Sequence, residues 1–220
     1  MSHTIYKNKN DKRLKSVTTI INGNLGWNKG NLLGWTRKHC LNGVDSLKLL
    51  KEAGNIGTLA HKMIEEYING GSVCLDGYTP NEISQAKTAY YGFHKWFEDN
   101  DVEFYETELK LVSEEYQFGG TMDAVCEVNG KLILADWKTS SDIYSEYLIQ
   151  AAAYRQLYTE YHNYDHWYKI KGATILKLNK DENGYVEHKF NISDLNWGWK
   201  MFKLLLKIQE KKNEKKIFRR

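Results

Sequence analysis

Apolar and polar positions along this chain recur with two periods, and the switches between them divide it into elements. Residues 1–35 are rich in Lys, Asn and Gly and only weakly periodic, so little is expected there beyond a short strand or helix near Val17–Ile21. From Asp45 the spacing becomes helical. Leu59/Ala60, Met63/Ile64 and Tyr67/Ile68 recur at three- and four-residue intervals on one helix face, and Asn69-Gly70-Gly71 ends the run. A second helix opens with the capping box Thr79-Pro80-Asn81-Glu82, in which Thr79 caps, Pro80 takes the first helical position and Glu82 reaches back. It continues to about Phe97 and stops at Asp99-Asn100-Asp101.

Period-two runs follow at Glu103–Val112, Thr121–Val128 and Lys131–Trp137, the last two joined by Asn129-Gly130, a strong short-range hairpin signal. Ser145–Tyr161 reads as a helix. Ala173–Leu178 and Tyr185–Phe190 flank Asp181-Glu182-Asn183-Gly184 as a second hairpin, and a last helix spans about Ser193–Lys212. Helices, three strands, a helix, two strands and a helix predict an α/β (or α+β) domain with a central mixed sheet flanked by helices.

A length of 220 residues suits one domain over 1–220, with 1–45 as an N-terminal elaboration and 193–220 as a basic C-terminal helix. The 41% hydrophobic and 27% charged content is that of a soluble globular protein. No apolar run approaches the roughly 18–20 residues needed to span a bilayer, and Met1–Lys7 lacks an apolar core of signal-peptide length. A cytoplasmic location and no membrane partner are therefore expected. Cys40, Cys74 and Cys126 form no CxxC pair, and three cysteines are too few for a four-cysteine iron–sulfur cluster. Cys126 lies in an apolar strand and is expected to be a buried thiol. The net charge of +3 is uneven: Lys200–Arg220 holds nine basic residues against Glu210 and Glu214, leaving a mildly acidic body. Such an end could track a phosphate backbone or be a solvated lysine face.

The Asn129-Gly130 hairpin carries the chemistry. If Val128 and Lys131 flank a two-residue loop, Asp123 falls opposite Asp136 on one face, with β-carbons roughly 4.5–5.5 Å apart. Lys138, two residues on, points the same way, as do Val125, Leu132, Leu134 and Glu127. Two opposed carboxylates among apolar neighbours repel, and a divalent cation with hard oxygen ligands, Mg²⁺ or Mn²⁺, would compensate. A bulge or slipped register would turn one acid away, and a surface hairpin with unrelated charges is the plainer alternative. Ile133-Leu134-Ala135 before Asp136 and Trp137 after it mark a buried strand, which favours partnered acids.

Gly120-Thr121-Met122-Asp123, Leu134-Ala135-Asp136-Trp137-Lys138, Gln150 with Tyr154, and upstream Gly57-Thr58-Leu59-Ala60-His61 occur in that structural set. Together they resemble the RecB-like branch of the PD-(D/E)XK nuclease superfamily, which shares G-x-x-x-H, G-x-x-D, D/E-x-K and Q-x-x-x-Y elements in this chain order. The likeness covers roughly residues 57–160. It implies a restriction-endonuclease-like core and metal-dependent cleavage of DNA. Asp123, Asp136, His61 and the backbone carbonyl of Trp137 would bind the metal. Lys138 would orient or deprotonate the attacking water or stabilise the developing charge, and Gln150 and Tyr154 would position substrate or the lysine. The iron–sulfur cysteines of some relatives are missing, and no G-x-x-x-x-G-K-[ST] motor motif occurs.

Taken singly, these residues have plainer roles: His61 a structural histidine, Tyr154 core packing, Glu65 a solvated acid. Glu106 and Glu108 stay open between the site and cross-strand salt bridges, and most of the seven Trp are expected in the core. The resulting expectation is a stand-alone DNA exonuclease of phage or mobile-element recombination, repair or degradation. It would act on linear single- or double-stranded ends as a homo-oligomer or with a partner recombination protein. A structure- or sequence-specific endonuclease and a non-catalytic DNA-end-binding module are the alternatives.

Overall fold

A computed structural model describes residues 4–27, 29–166 and 169–214; the end of the expected basic helix, 215–220, and Trp167 lie outside the described residues. The N-terminal part forms β1 (Tyr6–Lys7), β2 (Arg13–Ser16), α1 (Val17–Asn24) and α2 (Lys29–Leu41). Then come α3 (Ser46–Asn69), α4 (Pro80–Asp99), β3 (Val102–Ser113), β4 (Phe118–Val128) and β5 (Lys131–Lys138). The chain continues through α5 (Ser145–Tyr161), β6 (Gly172–Leu178), β7 (Tyr185–Phe190) and α6 (Ile192–Glu214). The fold is mixed α/β, with a central seven-stranded mixed sheet flanked by helices.

Local chemistry sets the boundaries. The Asp45 carboxylate accepts from the Leu47 and Lys48 amides to start α3, and Gly70, in the left-handed region, ends it. The capping box at Thr79 and Glu82 forms as expected, and Glu82 also accepts from Asn55 Nδ2 on α3 at 2.7 Å, joining the two helices. Asn129 and Gly130 both have positive φ (50° and 75°), the twist that a two-residue hairpin between β4 and β5 requires.

The sheet runs β1-β2-β4-β5-β6-β7, with β3 on the other side of β4. β4 pairs antiparallel with β3 and β5, while β5 and β6 are parallel and connected through α5. Each sheet face covers a separate core. One joins Val17, Phe118, Val125, Leu134, Leu157 and Phe202, from the sheet, α1, α5 and α6. The other joins Leu59, Ile64, Phe93, Trp96, Cys126 and Trp137, from the sheet, α3 and α4. Cys126 is buried, as expected, and burial pushes its thiol up to about 12.

One expectation changes. Residues 4–44 are structured well beyond a single element at Val17–Ile21, with β2 joining the sheet in parallel beside β4. Among the described tryptophans, Trp96 and Trp137 are buried and Trp199 packs against the first core, whereas Trp27 and Trp197 are exposed; Trp197 lies on the outer side of α6, whose inner side buries Leu195, Phe202 and Leu205. No helix among the described residues is long and apolar enough to cross a membrane.

Candidate active site

The hairpin turn fixes the register of β4 against β5. Pairs run from Val128↔Lys131 to Ala124↔Ala135 and stop there, one step short of the Asp123–Asp136 pair that the same count predicts. There the Asp123 carboxylate takes over a backbone partner: its Oδ2 accepts from the Trp137 N–H at 2.8 Å. Val125 and Leu134 enter one core while Ala124, Ala135 and Trp137 enter the other, the alternation expected of a strand covered on both faces.

Across β4 lies β3, distorted at the same level. Its pairing shifts between Phe104 and Glu106, and Thr107↔Ala124 and Leu109↔Met122 bracket Glu108 and Asp123. Glu108 has φ +48°, a left-handed conformation that costs a non-glycine residue of order 1 kcal/mol or more. This kink brings its carboxylate to His61 and Asp123, so that ligand atoms of all three lie within 4.8 Å of one another. His61 Nδ1 stands 3.5 Å from Asp123 Oδ1.

Two glycines allow this assembly through close approach. A β-carbon on Gly57 would stand 3.0 Å from Thr139 Oγ1, so α3 can lie against the segment leaving Lys138 and carry His61 inward. One on Gly120 would stand 2.6 Å from Tyr154 Cε1, so α5 can close on β4.

Asp136 is buried, and its Oδ1 has no hydrogen-bond partner among the described residues. Its charge partner is the Lys138 ammonium, ion-paired with Oδ2. Burial pushes the Asp136 carboxyl up to about 6, with Lys138 opposing and Asp123 adding to the rise. Asp123 is half-buried, and the desolvation this brings is outweighed by His61, Lys138 and the Trp137 amide, which hold its pKa low. For Lys138, burial pulls down while Asp136 and Asp123 pull up and win, so its pKa is raised. His61 is raised in the same way, against burial, by Asp123. Burial and then the Asp123 charge push Glu108 up to about 7.

From α5, Tyr147, Gln150 and Tyr154 project at helical spacing. Gln150 Nε2 donates to the Tyr154 hydroxyl at 2.8 Å, so these buried groups satisfy each other. Burial, then Asp136, drives the Tyr154 hydroxyl well above its usual range. The ring facing the lysine is Tyr147, with Lys138 Nζ 5.1 Å from its centroid, a cation–π contact. Tyr147 belongs to none of the sequence motifs, and its place one turn before Gln150 is the signal that points to it. For Glu108 no such signal exists, because the positive φ breaks the strand period that would reveal its direction. Trp137 keeps its indole in the second core while its amide serves Asp123.

The donor set fits a hard divalent cation. Two carboxylates and an imidazole converge, and the adjacent buried Asp136 carboxylate leaves its Oδ1 without a partner among the described residues.

No family model matches the chain. No curated protein matches it either. Among solved structures it is similar to a candidate exonuclease from Eubacterium rectale, at 15% identity and a TM-score of 0.45, over 68% of this chain and 64% of that one. It is also similar to the protein SSO0001, at 15% identity and a TM-score of 0.29, over 80% of this chain and 85% of that one. The chain thus spans 64% of the length of the first structure, and likeness at this level carries no functional argument.

Proposed function

We propose that the protein is a divalent-metal-dependent nuclease that hydrolyses DNA phosphodiester bonds from strand ends, with residues 1–220 forming one nuclease domain. One observation carries this reading: the buried Asp136 carboxylate, whose Oδ1 has no partner among the described residues, stands in the same electrostatic cluster as Asp123, His61 and Lys138. Such an arrangement is costly in a resting protein and is relieved by a cation and a phosphate. His61, Asp123 and Asp136, with Glu108 beside them, would hold Mg²⁺ or Mn²⁺, and the imidazole favours Mn²⁺. The bound ion supplies a water of lowered pKa and positive charge for the phosphate oxygens.

The chain's own groups do the rest. Lys138, kept protonated by Asp136 and Asp123, can donate to a phosphate oxygen and stabilise charge that develops there. Tyr147 confines the lysine from one side, and the Gln150–Tyr154 pair backs the site where α5 meets β4. His61 and Glu108 orient each other around Asp123.

The test uses end-labelled linear DNA, single- and double-stranded, beside closed circles of each kind, with Mg²⁺ or Mn²⁺. Linear substrates should shorten while circles persist, and Lys138→Ala should lower the rate about 10²-fold or more with DNA binding retained. Cut circles would transfer the reading to an endonuclease. Full activity in Lys138→Ala, or in the presence of a chelator, would remove the nuclease reading.

A further inference from the structure

The helix α2 has no buried residue, although it spans 13 residues and contains Gly30 and Gly34. A helix of that length and composition is marginal in water unless something packs on it. Its surroundings are unusually apolar for a surface. Trp27, Leu32, Leu33, Leu41, Leu47 and Leu50 are all exposed, with Leu33 at 75% and Leu41 at 76%. They also carry a positive excess: from Lys12 to Val44 the sequence has six Lys or Arg and not one Asp or Glu, and at the start of α3 Lys48 and Lys51 offset Asp45 and Glu52. Lys29, Arg37 and Lys38 lie on α2 itself, and the Trp35 ring sits 4.2 Å from that of His39.

The apolar side chains of α2 are scattered around its axis, not gathered into a stripe. A second helix or a lipid surface would call for a stripe. Cations interleaved with aromatic and apolar groups suit a flexible polyanion whose bases stack while its phosphates pair. The position also fits. α3 runs without a break from Leu47 beside α2 to His61 at the carboxylates, fourteen residues or about 21 Å. That distance matches about six stacked nucleotides at 3.4 Å each.

We propose that α2 and the start of α3 form an arm that grips a single nucleic-acid strand about six nucleotides from the carboxylate site. The inference rests on the nuclease reading and adds the element that would hold the substrate. The test is fluorescence anisotropy of labelled oligothymidylates of 5 and 15 nucleotides with the whole protein in EDTA. It compares wild type, Trp27→Ala and the double variant Arg37→Ala/Lys38→Ala. All three positions are exposed, and unchanged melting temperatures would verify the folds.

The 15-mer affinity should fall about tenfold in Trp27→Ala, the scale of one stacked base. The double variant should flatten the log–log salt dependence by about 1.4, at 0.7 per lost phosphate contact. The 5-mer should bind all three proteins alike. Unchanged 15-mer affinity would overturn the arm, as would an equal loss on the 5-mer. So would variants that alter only self-association, by light scattering, or only vesicle binding. If wild type cuts DNA while the arm variants bind as wild type does, this inference fails and the nuclease reading stands. Absence of metal-dependent cutting in wild type would fail the nuclease reading instead.

Discussion

Glu108 is held at a strained backbone angle in a place where its charge is unwelcome. Burial and Asp123 favour its protonated form, so the folded protein keeps the proton up to about pH 7, while an unfolded glutamate releases it near 4.5. A raised carboxyl pKa contributes stability that is complete below the unfolded value and lost as pH rises through the folded one. Metal-free Glu108→Gln should therefore melt above wild type at pH 8, with the gap closing by pH 5. Added Mn²⁺ should narrow or reverse it at pH 8 if Glu108 assists the ion. Thermal melts at the two pH values check this, and equal melting temperatures at pH 8 would refute it. Residues on the hairpin were readable beforehand because a two-residue turn leaves one register, which holds as far as Ala124↔Ala135 and leaves Asp123 and Asp136 close enough to feel each other's charge. Glu108 stayed open beside Glu106 because its direction depends on a shift and a left-handed residue in β3, neither of which leaves a mark in an alternating pattern.

Among the elements, α4 shows how a local signal becomes a tertiary one. Thr79 caps the helix, and Glu82 closes the box while also receiving Asn55 from α3. Thr79→Ala should cost about 1 kcal/mol. Glu82→Ala should cost more, because it also leaves the Asn55 amide between the helices without its acceptor. Urea midpoints for the two variants give the order, and an equal loss would mean the cross-helix bond contributes nothing. The Thr79 amide and Asn55 hold the Glu82 carboxyl below its usual range. Its contribution is therefore present above the ordinary glutamate pKa and lost as pH falls through the lowered one. Elements with a buried face were the legible ones: α3, α4, α5 and the strands of both hairpins appear close to where periodicity places them. β1 and β2 are too short to display a period, and α2 buries nothing and so has none to display.

At the scale of the whole molecule, β4 lines both cores, with Val125 in one and Cys126 in the other, so neither face can loosen without the strand that carries Asp123. Occupancy of the site should then stabilise the entire domain. At a hundredfold excess over Kd, Mn²⁺ should add about 2.7 kcal/mol, several degrees in Tm, and Asp123→Asn should lose most of that gain. An equal rise in the variant would place the ion elsewhere. The dispersal of the site over α3, β3, β4 and β5 also governs when it can exist. His61 is made first and Lys138 last, with 77 positions to be translated from one to the other, about 4–15 s at ribosomal speed. Even then β5 has no neighbour on its far edge until β6 emerges. If the nuclease reading holds, a chain that ends before β6 is harmless to the genome of the cell that makes it, because its cutting site has not yet been assembled.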